Sequence, residues 1–479
     1  MPFFLGIDLG TSYFKAGVFD GQGKLMGLGR CFVRKEAGAG RLCELDVPVF
    51  FDTLSSCIRE ALQKADVRDT EIKAVSYSSQ ANSFVLLDKY DAYLTPIILW
   101  PDQRVEELPV SVQTLIDSPD FNENTGIGVK PGSQSLIAKV EWYKLKRPDI
   151  WKKVRRIMSI SDYLTFILTG CRISDYSTSS MTGLFNISGQ KWWDKALMIL
   201  NMDKGCLSSP ACTGSLVGRI TGKGAELTGL AKGTPFVLGG LDHHMVAVSA
   251  GFPDTECISE STGTVLACVS YEKGLKYRAG LNVAPGLSDD FYFNLAFDTN
   301  GALPLEWYQR NYSPESSVIE LLALAENVAV GSDGLIAQPC ANMFGGLNGF
   351  DNRTANHSRA HFVRAILEST ALSLVKLVKT VDPMESVQII IPSGGGARSH
   401  LWMQIKADML NKTFSVPECS ELACQGAAMT SFIGSSELQD ISGVIDEWRM
   451  FKKTIAPDPD NVEKYKDWRN RNCNFKKYR

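Results

Sequence analysis

Charge of either sign in excess is missing from this 479-residue chain: 50 Lys and Arg stand against 53 Asp and Glu, a formal net charge of −3. That balance offers no electrostatic case for nucleic acid or for an acidic membrane surface as a partner. The one short basic run, 151–156, is interleaved with apolar residues and is expected to be the solvated face of a helix. The Lys- and Arg-rich end, 464–479, is expected to be an exposed helical tail. Histidine is scarce, at five residues with no H-E-x-x-H spacing, which argues against a histidine-built metal site. Twelve cysteines contain no C-x-x-C pair and several sit in apolar runs, so they are expected to be small core residues in a reducing compartment. No apolar run approaches the ~18 residues of a spanning helix, and the start of the chain reads directly as a strand; a cytoplasmic protein is expected. Neither G-x-x-x-x-G-K-[ST] nor a Rossmann-spaced G-x-G-x-x-G occurs, so neither a P-loop nor a dinucleotide fold is supported.

Two copies of a glycine-threonine turn are present instead. Asp8-Leu9-Gly10-Thr11-Ser12 and Ser261-Thr262-Gly263-Thr264 lie about half the chain apart, each after a strand-like apolar stretch. The tip of such a hairpin offers backbone N–H groups and hydroxyls to a polyphosphate without requiring lysine, and Asp8 is placed to hold a magnesium ion. One copy alone is an ordinary tight turn. Two copies imply a duplicated domain with a nucleotide between the halves.

Strand and helix patterns alternate through the first quarter, the mark of α/β organisation, and the stretch 133–170 reads as largely helical. The apolar strand that runs into Gly239-Gly240-Leu241-Asp242 ends in a carboxylate, where α/β enzymes place chemistry. Asp242 suits a general base that accepts a proton from a sugar hydroxyl; capping of the helix that follows is the alternative, and both roles are compatible. Ser393-Gly394-Gly395-Gly396, followed by a helix from Ser399, resembles a nucleotide loop. Gln80, Asn82, Trp100, Asp102 and Arg104 supply the amides, indole and charges that a polyol needs, although single polar loop residues are usually only solvated.

Assembled, these motifs resemble the FGGY carbohydrate kinases of the actin-like ATPase superfamily, from about residue 3 to 436. The resemblance is carried by GIDLGTS at 6–12, Trp100-x-Asp102-x-Arg104, SDYLTFILTG at 161–170, Asp175 and Ser177, TGLFNI at 182–187 and Trp192. It continues through Gly239-Gly240-x-Asp242, Gly263-Thr264, HFVRAILES at 361–369, SGGGARSHLWMQIKADML at 393–410 and QGAAM at 425–429. It implies two ribonuclease H-like α/β lobes with a central cleft: an N-terminal lobe over 1–252, a C-terminal nucleotide lobe over 253–440 and a helical tail over 441–479. It also implies ATP-dependent phosphorylation of a ketose or related polyol, in a homodimer. Asp242 would be the base, and Asp8 and Asp242 would hold Mg2+. Gly10, Thr11, Ser12, Gly263, Thr264, Gly395, Gly396, Ser399 and His400 would line the nucleotide, while Gln80, Asn82, Trp100, Asp102, Arg104, Asp242 and His243 would line the sugar. Two departures stand out: Ala81-Asn82 replaces the Met-His usual in xylulokinase-like members, and His243-His244 replaces small residues after the catalytic aspartate. The Arg-Glu pair typical of glycerol kinases is absent. A catalytically silent sugar-binding regulator, or an ATPase acting on a protein, is the alternative on the same fold.

Overall fold

The structure is a computed structural model and describes residues 2–35, 41–251, 254–263, 265–340, 346–436 and 446–472. Thr264 and the expected lobe boundary at 252 lie outside the described residues. The chain forms two compact units, one from 1–253, 271–294 and 421–449, the other from 254–270, 295–420 and 450–479. Neither is contiguous in sequence, whereas the sequence reading uses three consecutive segments.

The first unit opens with the hairpin β1 (Phe3–Leu9) and β2 (Tyr13–Asp20), which continues into β3 (Leu25–Phe32). Helix α1 (Val47–Ala65) buries Phe50, Leu54, Cys57, Ile58 and Ala61, an i, i+4, i+7 stripe that lies against β3. β4 (Ile72–Ser79) then adds parallel to β1. Helix α2 (Leu136–Lys146) is capped by Ser135, whose hydroxyl accepts from the Ala138 amide. Three further strands, β5 (Leu216–Arg219), β6 (Pro235–Val237) and β7 (Gly240–Leu241), complete a sheet of order β5-β6-β4-β1-β2-β3, with β7 also paired to β4. Leu5, Ile7, Phe14, Val18, Val75 and Phe236 are fully buried in its core. Helix α3 (Asp242–Gly251) leaves directly from β7.

The second unit repeats the plan. β8 (Cys257–Thr262) and β9 (Leu266–Lys273) form the hairpin, α4 (Arg359–Val381) is the long helix, and β10 (Ile389–Ser393) lies parallel to β8 as β4 does to β1. Helix α5 (His400–Leu410) leads to β11 (Thr413–Pro417), parallel to β10. The chain then returns to the first unit as α6 (Leu422–Ser435), which packs on β1, β4 and α3. β12 (Phe451–Ile455) pairs antiparallel with β11, and α7 (Pro459–Asn472) closes the second unit against α5.

Three local expectations are revised. The basic run 151–156 is a turn that enters a strand at Arg156, not a helix face, and that strand, Arg156–Ser159, interrupts the stretch read as helical. The end of the chain is not wholly exposed: Tyr465 and Trp468 on α7 are buried, and the Tyr465 hydroxyl joins Arg364 and Glu368 of α4 at 2.8 and 2.9 Å. Among the described residues, no helix is long and apolar enough to cross a membrane.

Candidate active site

In the first unit the site grows out of strand register. β4 is the central strand here, with Asp8 of β1 opposite Ser78 on one side and Gly240 of β7 opposite the same Ser78 on the other. Parallel pairing thus sets the two carboxylates of Asp8 and Asp242 at neighbouring strand ends although 234 positions of chain separate them. Asp8 is buried and accepts from the Ser78 hydroxyl at 3.0 Å. Burial pushes its carboxyl up; Lys15 opposes the rise and Asp242 adds to it. Lys15, directly across the hairpin from Asp8, lies 3.6 Å from it and 2.8 Å from Glu421. The sequence reading passed over both Lys15 and Glu421.

Asp242 is the first residue of α3, with 36% of its side chain exposed, and its Oδ1 accepts from the His243 amide at 2.8 Å. Oδ1 is thus engaged by the next backbone amide while the carboxylate keeps access to solvent. Gly240 is glycine for a local reason: a Cβ there would sit 2.6 Å from Ser177 Oγ. That hydroxyl accepts from the Leu241 amide at 2.9 Å and meets His244 Nδ1 at 2.7 Å. Burial pulls the His244 imidazole down to about 3, so it is neutral. His243 is half-buried, with Nε2 4.0 Å from Asp242.

The residues expected to meet sugar divide into two groups. The Trp100 indole N–H donates to Thr11 Oγ1 at 2.7 Å, which ties the 100–104 segment to the first glycine-threonine turn; Gly10 and Ser12 flank Thr11, Ser12 exposed. Gln80 is buried, donating to Leu9 O and accepting from Ser83 Oγ. Asn82, at φ +59°, accepts from the Leu136 amide, and its carbonyl receives Lys139 Nζ at 2.9 Å. Asp102 and Arg104 are buried and paired. The guanidinium contacts Asp102 twice, Glu44 at 2.5 Å and Tyr143 at 2.6 Å, while Asp102 also receives the Cys43 and Arg104 amides. Both Asp102 oxygens thus accept two hydrogen bonds each within the fold, whereas one N–H of Arg104 Nη1 is not engaged by these contacts.

In the second unit the triple glycine leans on the second turn. Gly394 has φ +79°, and a Cβ there would stand 2.5 Å from Thr262 O; a Cβ on Gly396 would stand 2.9 Å from Thr262 Cβ, whereas Gly395 faces open space. Beneath the turn, fully buried Lys406 bonds Glu260 at 2.9 Å and Thr262 Oγ1 at 2.5 Å. The Gly263 carbonyl accepts from the Ala302 amide. Ser399 caps α5 by accepting from the Trp402 amide, and His400 is exposed at the helix start.

These two hairpin-plus-parallel-strand units define a two-unit α/β protein of actin-like ATPase fold. A crystal structure of xylulose kinase from Rhodospirillum rubrum has TM-score 0.86 and 23% sequence identity, covering 98% of each chain. The model of the FGGY family of carbohydrate kinases, N-terminal domain, matches residues 3–249, and that of the C-terminal domain matches residues 336–435. The chain therefore belongs to the FGGY family of carbohydrate kinases. Xylulose kinase of Bacillus subtilis (strain 168) is 25% identical, covering 97% of this chain and 95% of that protein. The L-xylulose/3-keto-L-gulonate kinase of Escherichia coli (strain K12) is 28% identical, covering 95% and 93%.

Proposed function

We propose that this kinase transfers the γ-phosphoryl group of ATP to a hydroxyl of a ketose or related polyol, a pentulose or hexulose, with Asp242 as general base. The observation that carries the reading is the half-exposed Asp242 carboxylate at the strand end beside the buried Asp8. Phosphoryl transfer asks little covalent chemistry of the protein; it needs the acceptor oxygen held in line and its proton removed. Asp242 removes that proton as the oxygen attacks. The indole of Trp100 offers an apolar face to the carbon chain. Each unit offers phosphate donors of its own: amides and a hydroxyl at the Gly10-Thr11 tip in the first, and amides at Gly263 with an open Gly395 that lets a ligand approach the backbone in the second.

The donor set suits Mg2+, which takes one or two carboxylates and completes its shell with phosphate oxygens and water. Asp8 and Asp242 would hold it, and when bound it would neutralise charge on the phosphates. The names of the relatives, xylulose kinase and L-xylulose/3-keto-L-gulonate kinase, support a keto-sugar acceptor. The retained Asp8, Asp242 and glycine loop support a working kinase over a silent regulator.

The test is coupled ADP release with Mg-ATP across D-xylulose, L-xylulose, ribulose, fuculose, rhamnulose, fructose, gluconate and glycerol. One strongly stimulating ketose is expected; stimulation by none overturns the acceptor class. Asp242→Asn removes the base and keeps its size, so turnover should drop at least about 100-fold with ATP affinity retained. Wild-type turnover in that variant would end the base assignment.

A further inference from the structure

We propose that Ser177 and His244 are a positioning pair for Asp242, holding the residues on either side of the carboxylate so that it keeps one orientation. This rests on the reading of Asp242 as the base.

The contacts form a closed ring. The Leu241 amide donates to Ser177 Oγ at 2.9 Å, Ser177 Oγ meets His244 Nδ1 at 2.7 Å, and His244 returns to Leu241 through His243 and Asp242 along the backbone. Asp242 sits inside that ring. The residue before it is held by Ser177 and the residue two beyond it holds Ser177.

Hydrogen counting sets the direction of each bond. Ser177 Oγ carries one hydrogen and already accepts from Leu241. If it also accepted from His244, its own hydrogen and the His244 Nε2 lone pair would both be left without a partner, since Nε2 has none. Donation from Ser177 to Nδ1 leaves only one buried group unmatched, the Nε2 hydrogen. The imidazole is thus a fixed acceptor. Its plane is set by Phe293, stacked at 4.3 Å between centroids and 4° between planes. Ser177 is in turn seated by Asp175, which caps the helix Tyr176–Ser179 through the Thr178 amide and accepts from the Tyr77 hydroxyl at 2.8 Å. Close packing of Gly240 on Ser177 removes the remaining slack. His243 touches Asp242 directly, through its amide at 2.8 Å and with Nε2 4.0 Å away, and takes no part in the ring.

The experiment compares Ser177→Ala, His244→Phe and His244→Asn with wild type, using Mg-ATP and the best acceptor of the panel above. His244→Phe keeps an aromatic ring for Phe293 and loses the acceptor; His244→Asn restores an acceptor oxygen near the Nδ1 position. Misplacing a base by about 1 Å costs on the order of 100-fold in rate. Ser177→Ala and His244→Phe are therefore expected to lower kcat about 10- to 100-fold, with both KM values within about threefold of wild type. The double variant should fall no further than either single change, because the two residues act as a unit. His244→Asn should recover most of kcat.

Hydrogen exchange of the 239–244 segment gives a readout that needs no acceptor: it should quicken in Ser177→Ala and His244→Phe and return toward wild type in His244→Asn. Unchanged exchange and kcat in both loss variants, or no recovery in His244→Asn, overturns the proposal. If Asp242→Asn is inactive while the pair variants behave as wild type, only the positioning role fails. If Asp242→Asn turns over normally, the base reading fails with it.

Discussion

At the scale of single residues, the first hairpin, proposed to meet the nucleotide, carries a lysine held between two carboxylates. Burial alone would lower the Lys15 ammonium's pKa, but Asp8 and Glu421 outweigh it and raise that pKa, so Lys15 is charged at any working pH. Glu421 aims it, at 2.8 Å against 3.6 Å for Asp8. Glu421→Gln removes the stronger hold and frees the ammonium to collapse onto Asp8. The expected outcome is a KM for Mg-ATP raised about tenfold, the worth of one charge-assisted hydrogen bond, with the acceptor KM unchanged. Steady-state kinetics with each substrate varied in turn checks it, and an unchanged ATP KM refutes it. Asp8, Gly10 and Asp242 stood out in the sequence because glycine turns and strand-end carboxylates are local signals. Lys15 did not: it alternates correctly within a strand and looks like an ordinary outward-facing residue.

At the scale of elements, the first turn of α2 holds the segments proposed to meet the sugar. The Leu136 amide takes the Asn82 side chain, and fully buried Lys139 donates to the carbonyls of Asn82 at 2.9 Å and Leu99 at 3.0 Å, one in or beside each of the two segments. Burial pulls the Lys139 pKa down to about 7, yet even the neutral amine retains two N–H donors for these two acceptors. Lys139→Met strands both carbonyls, at about 1–3 kcal/mol each. The variant should lose stability in urea denaturation and raise the acceptor KM several-fold while the ATP KM holds; equal effects on both substrates would count against a role confined to the sugar loop. Elements with clean periodicity, such as β1, β2, α1 and α4, were legible in the sequence. β3 was not, because Gly27 and Gly29 interrupt its pattern, and neither was β12, whose Phe451, Lys452, Lys453 and Thr454 are exposed on an edge strand.

At the scale of the molecule, buried carboxylates tie stability to pH. Burial pushes Asp175 up to about 7 and Asp162 up to about 6, from an ordinary value of 3.8. A carboxyl whose folded pKa exceeds its unfolded one binds more protons when folded. Its contribution is therefore greatest at low pH and is lost as pH rises through the folded value. Urea midpoints should fall between pH 5 and pH 8 by on the order of 2 kcal/mol of stability for Asp175 alone. Asp175→Asn preserves the helix cap but carries no titrating proton, so its stability should vary less over that window. An equally steep decline in the variant would show that Asp175 is not the group responsible.

The amino-acid order by itself determined the duplicated turn-and-strand plan, the triple-glycine loop at 394–396 and the aspartate at the Gly-Gly strand end. Each is a short segment whose backbone demands are met or failed locally. Only the tertiary structure decided which distant residues share a neighbourhood. Parallel register placed Asp8 and Gly240 on either side of Ser78, the return of α6 brought Glu421 to Lys15, and the helix at 176–179 set Ser177 under Leu241. It also showed that Asp102 and Arg104, which look like exposed loop residues in the sequence, are buried and paired with each other. Pairing across strands and packing between elements depend on contacts far apart in the chain, and no local pattern of hydrophobicity or turn chemistry encodes which of them forms.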